Sequence, residues 1–166
     1  MFDNIQPCSS AWILISMDTA TLKALYTRSP SRPPQIFCPL GNAPYLQSIG
    51  VPNPSIQILD WWDSKRLTLD DTLAVDITCT PCQHITGRSV TFRDQCKTLW
   101  GSWVVEEASP EGKESPSQPM KLFFGGDTAY RTVRKGENED EVPVCPAFKQ
   151  IGEVFGGFDV ALLPIG

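Results

Sequence analysis

The sequence predicts an α/β fold, on three observations. Strand-length apolar runs alternate with helical segments through the first third of the chain. Three further apolar, β-branched or aromatic runs then follow one another with polar loops between them. A helical segment near the end leads into a final apolar run. Each element has a local reason. Ala11 to Ser16 (AWILIS) is short and apolar, as a buried strand requires, and Asp18 stands where a helix N-cap belongs. Leu22, Leu25 and Tyr26 then recur at helical spacing until Ser29-Pro30-Ser31-Arg32-Pro33-Pro34 stops the helix. Gln35 to Leu40 reads as a strand, Ala43 to Gly50 as a short helix and Ser55 to Trp62 as a strand. LAVDITCTP, TLWGSWVVEE and MKLFFGGD read as consecutive antiparallel strands. CPAFKQIGEVFGG places Phe148, Ile151 and Phe155 on one helix face and ends on Gly156-Gly157. FDVALLPIG reads as a last buried strand.

One domain over residues 1–166 is expected, with flexible loops near 108–119 and 131–143, where Pro, Ser, Gly and charged residues leave little apolar surface to bury. A net charge of −5 and the lack of clustered Lys and Arg argue against nucleic-acid binding. No run reaches the roughly 18–20 apolar residues of a transmembrane helix, and the first ten residues have neither a basic leader nor an apolar signal core. The expectation is therefore a cytoplasmic protein whose six cysteines are free thiols, without an amphipathic basic helix to hold it at a membrane. Trp61 and Trp62 read as core packing rather than a lipid groove.

Three segments carry a family resemblance: TPCQHITGR around His84, LWGSWVV from Leu99, and FFGGDTAY leading into CPAFKQIGEVFGGFDVALLPIG. Together they resemble zinc-dependent metallo-β-lactamase-fold hydrolases of the N-acylphosphatidylethanolamine phospholipase D type, in the fungal form. The resemblance implies an αββα sandwich, here incomplete, and a phospholipid substrate split into N-acylethanolamine and phosphatidic acid. It also implies that His84 and Asp127 are metal ligands in a two-zinc centre, with Gly125 and Gly126 letting the backbone approach the metals. The chain departs from the family where an H-x-H-x-D-H loop should follow the first strand. Ser16 runs directly into Met17-Asp18-Thr19, and His84 is the single histidine of the sequence. A further His ligand is expected beyond the final PIG segment, so two of the family's seven ligands remain. Catalytic zinc usually keeps three protein ligands, so weak or absent zinc and impaired or absent activity are expected, with any membrane association peripheral. The alternative reading is a non-catalytic domain with a structural zinc at Cys79, Cys82, His84 and Cys96, whose spacing C-x2-C-x-H-x11-C contains four possible donors.

Overall fold

A computed structural model describes residues 11–13 (backbone only), 18–28, 33–84 and 97–164. The chain runs β1 (Ala11–Ile13), α1 (Thr19–Arg28), β2 (Gln35–Pro39), α2 (Ala43–Ser48), β3 (Ile56–Leu59), β4 (Ser64–Thr68), β5 (Ala74–Thr80), β6 (Ser102–Ala108), β7 (Lys121–Phe124), α3 (Pro146–Phe155) and β8 (Val160–Leu162). The end of the first predicted strand, most of the breaker before β2, and Cys8 and Cys96 lie outside the described residues.

β1, β2 and β3 form a parallel sheet, and the remaining strands form a second sheet in the order β4-β5-β6-β7-β8. Pairing in the second sheet is antiparallel from β4 through β7, while β7 and β8 are parallel. The period-2 alternation of strand side chains sets the layers. On β2, Ile36 and Cys38 face Leu22 of α1 and Leu46 of α2, whereas Phe37 joins Leu59, Ile77, Cys79 and Trp103. On β6, Trp103 points into that same cluster between the sheets, and its neighbour Val104 points outward to Phe123 and to Ile151 and Phe155 of α3. The result is four layers, with helices outside two sheets. Burying each large side chain between the sheets contributes about 1.5–3 kcal/mol.

The helix ends follow local chemistry. The Asp18 carboxylate accepts from the backbone N–H groups of Ala20 (3.3 Å) and Thr21 (2.8 Å), the bonds an N-cap supplies. α3 ends at Gly156 in the left-handed conformation, φ 72°. Lys121 Nζ donates to the Phe155 carbonyl at 2.7 Å, placing a cation on the negative end of α3.

Two expectations need correction. Ser55 to Trp62 is not one strand. The chain turns at Asp60–Asp63, where Asp60 N–H donates to the Asp63 carboxylate (2.9 Å) and Trp61 N–H to Asp60 Oδ1 (2.7 Å), and it returns as β4. Trp62 sits in this turn at φ 71°, a left-handed backbone that costs a bulky L-residue about 1–2 kcal/mol. The last strand is exposed rather than buried: among the described residues Val160, Ala161 and Leu162 pair with β7 alone, at the edge of the sheet. Within the segments 108–119 and 131–143, Ala108 closes β6 and a few local bonds form in the second. Arg131 bridges Val144, and the Asn138 side chain accepts from Asp140 N–H at a single turn, Glu139–Glu141.

Candidate functional site

Strands β5 and β7 flank β6, and both end at the same edge of the second sheet. The exit from β5 is held by buried hydroxyls: Thr80 Oγ1 and Ser102 Oγ lie 2.7 Å apart, and Ser102 Oγ donates to the Pro81 carbonyl at 3.0 Å. The segment after β7 then clasps the segment after β5 across the end of β6. Gln83 N–H donates to Thr128 Oγ1 at 2.9 Å, and Ala129 N–H donates to the Gln83 carbonyl at 3.0 Å. This clasp brings the next residue, His84, beside the preceding one, Asp127, with Nε2 and Oδ2 4.0 Å apart. The two side chains predicted to be metal ligands therefore meet in space. Both are open to solvent, His84 at 43% and Asp127 at 72%.

They line a cleft of about 800 Å³ together with Cys82, Trp100, Thr128 and Cys145. Cys82 is buried, and burial pushes its thiol up to about 11; Thr128 pulls against this by hydrogen bonding, while Cys145 and Asp127 add to the rise. Thr128, Trp100 and Cys145 were not singled out by sequence. Thr128 had a signal in its place beside Asp127 in G-G-D-T, whereas the arrival of Cys145 depends on tertiary contacts alone. Gly125 and Gly126 serve the backbone. A Cβ on Gly125 would lie 3.3 Å from Leu163 Cδ2, and Gly126 adopts φ 64°.

The donor set does not fit the zinc centre implied by the resemblance. Among the described residues no three His, Cys, Asp or Glu side chains gather for a metal. Two donors sharing one tetrahedral zinc would lie roughly 3.3–3.5 Å apart for bond lengths of about 2.0–2.2 Å, so His84 and Asp127 would need only a small adjustment. A third ligand is what the described site lacks. The Cys79, Cys82, His84 and Cys96 alternative fares no better among the described residues. Cys79 lies in the apolar layer between the sheets, packed so closely that a Cβ on Gly101 would come within 2.9 Å of its Sγ, while Cys82 faces the cleft. Cys96 is outside the described residues.

The buried thiols make a stability prediction. Burial raises Cys38 from 9.0 to about 11. Cys79 rises from 9.0 to about 12, chiefly by burial and further through Cys82, Asp60 and Asp63. Above pH 9 the unfolded chain has released these protons while the folded chain keeps them, so stability falls as pH rises. The contribution is complete below pH 9 and is lost progressively from there toward pH 11–12. Urea unfolding between pH 8 and 10.5 should show a falling midpoint, and that fall should be smaller in Cys79→Ala.

Residues 17–166 match the family described as beta-lactamase superfamily domain. An uncharacterized protein of Mycobacterium tuberculosis (strain ATCC 25618 / H37Rv) is 33% identical over 152 residues, which is 92% of this chain and 31% of that protein. A Mycobacterium bovis protein is similar to the same extent. The N-acyl-phosphatidylethanolamine-hydrolyzing phospholipase D 1 of Caenorhabditis elegans is 28% identical over 138 residues, 80% of this chain and 32% of that protein. The chain thus spans about a third of the length of these relatives. With a four-layer α/β fold and a match over nearly its whole length, the chain belongs to the beta-lactamase superfamily domain family, a family of hydrolase fold.

Proposed function

We propose that the cleft at His84 and Asp127 derives from a phosphodiesterase site for an N-acylated phospholipid, and that this chain by itself turns over such a lipid slowly or not at all. The observation that carries the reading is the meeting of these two side chains, 4.0 Å apart at the ends of two non-adjacent strands, without a third donor among the described residues. The worm relative's name supports the substrate class, N-acyl-phosphatidylethanolamine, and hydrolysis as the reaction. The volume of the cleft accommodates a headgroup phosphodiester rather than a whole lipid, which leaves the acyl chains outside.

A two-zinc centre is what activates water and stabilises the developing charge in hydrolases of this kind. Two exposed donors do not assemble one. Release of N-acylethanolamine from N-acylphosphatidylethanolamine in mixed micelles, with zinc in excess, should match the protein-free background. His84→Ala and Asp127→Ala should leave that rate unchanged. Turnover well above background that either substitution abolishes would overturn the reading.

A further inference from the structure

The two edges of the five-stranded sheet are finished differently. β4 forms one edge with Lys65 and Arg66, and Arg66 is paired with Asp76 of β5 at 2.6 Å. Charged side chains of this kind keep a sheet edge from pairing with other chains. β8 forms the other edge and carries no charge from Val160 to Gly166. Its backbone is bonded to β7 on one side, and among the described residues no strand pairs with it on the other. A row of N–H and C=O groups is left open there.

The faces of β8 are as open as its edge. Val160 and Leu162 stand in register with Leu122 and Phe124, so they share the face on which Phe124 packs against the cluster of Phe37 and Trp103 between the sheets. Yet Val160 is 44% and Leu162 48% exposed, and Leu163 beyond them 59%. The three-stranded sheet therefore covers that face at β5 and β6 and stops short of β8. Ala161, beside Phe123 on the face that α3 covers, is exposed as well. Single exposed apolar residues are ordinary on a protein surface. A run of them along an open backbone edge is a site for another strand.

Charge pattern selects the occupant. A second β8 laid antiparallel across a two-fold axis at Ala161 sets Val160 of each copy opposite Leu162 of the other, and Asp159 opposite Leu163. No like charges meet along the strands, although each copy carries −5 overall, and the Asp159 carboxylate is already held by Lys121 N–H at 2.7 Å. We propose that β8 pairs antiparallel with β8 of a second copy in this register, joining two five-stranded sheets into one. The contact is isologous and closes at two copies, because the charged β4 edges that remain outermost resist further addition. One pair of short strands buries less than the roughly 1,200–2,000 Å² of a stable interface, so the dimer is weak and forms reversibly with concentration. The pairing involves neither His84 nor Asp127.

Sedimentation velocity of the full chain over a wide concentration range, in reducing buffer, tests the proposal. The expected result is monomer at low concentration and dimer at high, with no larger species, and with hydrogen exchange at Val160 to Leu162 slowing as the dimer forms. Val160→Lys and Leu162→Glu should each weaken association by roughly tenfold, since each alters two cross-strand pairs per dimer. Both positions are about half exposed, so the thermal midpoint of the monomer should not change. Combining the two substitutions in one chain should restore association to near the native level, because each changed position then meets the opposite charge across the axis. The exchange measurement uses the native chain alone and decides even where a variant fails to fold. A native chain that stays monomeric, a dimer that either single substitution leaves unchanged, a double variant no stronger than the single ones, or open-ended assembly would each overturn the proposal.

Discussion

Replacing Trp103 with alanine is expected to lower stability by about 3–5 kcal/mol, the usual range for removing a fully buried Trp. Trp103 is 0% exposed on β6, and it packs against Phe37 and Leu59 of the parallel sheet and Ile77 and Cys79 of its neighbour on β5. Among the described residues no other side chain of this size is so completely enclosed, so the cavity left behind would open the seam between the two sheets. A chain of this length has roughly 5–15 kcal/mol of total stability, and the alanine variant should unfold at far lower urea. Trp103→Phe is the informative companion. The indole Nε1 is buried and finds no acceptor among the described residues, so it carries a desolvation cost that phenylalanine removes while keeping most of the ring. The phenylalanine variant should therefore lie within about 1.5 kcal/mol of the native chain, as conservative core changes do. Equilibrium urea unfolding of both variants checks the pair.

Gly41→Ala is expected to cost about 2–4 kcal/mol, combining the left-handed penalty with overpacking against backbone. Gly41 has φ 86°, and a Cβ there would stand 2.6 Å from the Lys97 carbonyl oxygen and 3.0 Å from Thr98 Cα. Neither neighbour is the tip of a flexible side chain, so the loop that carries Leu99 and Trp100 to the rim of the cleft would have to shift. Gly50 provides the control. Its φ is 95°, but an added Cβ would meet nothing within 4 Å, so Gly50→Ala should cost only about 1 kcal/mol, from conformation alone. The difference between the two unfolding free energies isolates the contact at Lys97.

Much of the fold was legible because its signals are local. The continuous run at Ile36, Phe37 and Cys38 reads as a strand covered on both faces, and α1 and α2 on one side with the second sheet on the other do cover it. The N-cap at Asp18 and the stop at Gly156 follow from side-chain and backbone chemistry within a few residues. β4 escaped notice because Ser64-Lys65-Arg66-Leu67-Thr68 is mostly exposed and offers no apolar alternation; the two aspartates around Trp61-Trp62 were the readable sign of a turn. β8 is as apolar as a buried strand, yet burial depends on what lies beside it, and among the described residues β7 is its single neighbour.

The site divided in the same way. Motifs drew attention to His84 and Asp127, and their convergence needed β6 between them and the Gln83–Thr128 clasp across its end, whose two partners adjoin His84 and Asp127 but lie 45 residues apart in the chain, a pairing that local sequence does not express. The exposed Trp62 was missed for a related reason. Aromatic pairs usually pack inward, and whether a turn points a ring outward depends on a backbone angle that composition does not express.

The central proposal is that, among the described residues, this cleft offers a metal two donors, His84 and Asp127, and no third. Its most direct test is zinc stoichiometry of the full chain, measured by competition with a chromophoric chelator, for the native sequence and for His84→Ala and Asp127→Ala. The account predicts that the chelator strips the native chain and that all three proteins behave alike. Retention of two zinc ions per native chain, with loss on either substitution, would contradict it.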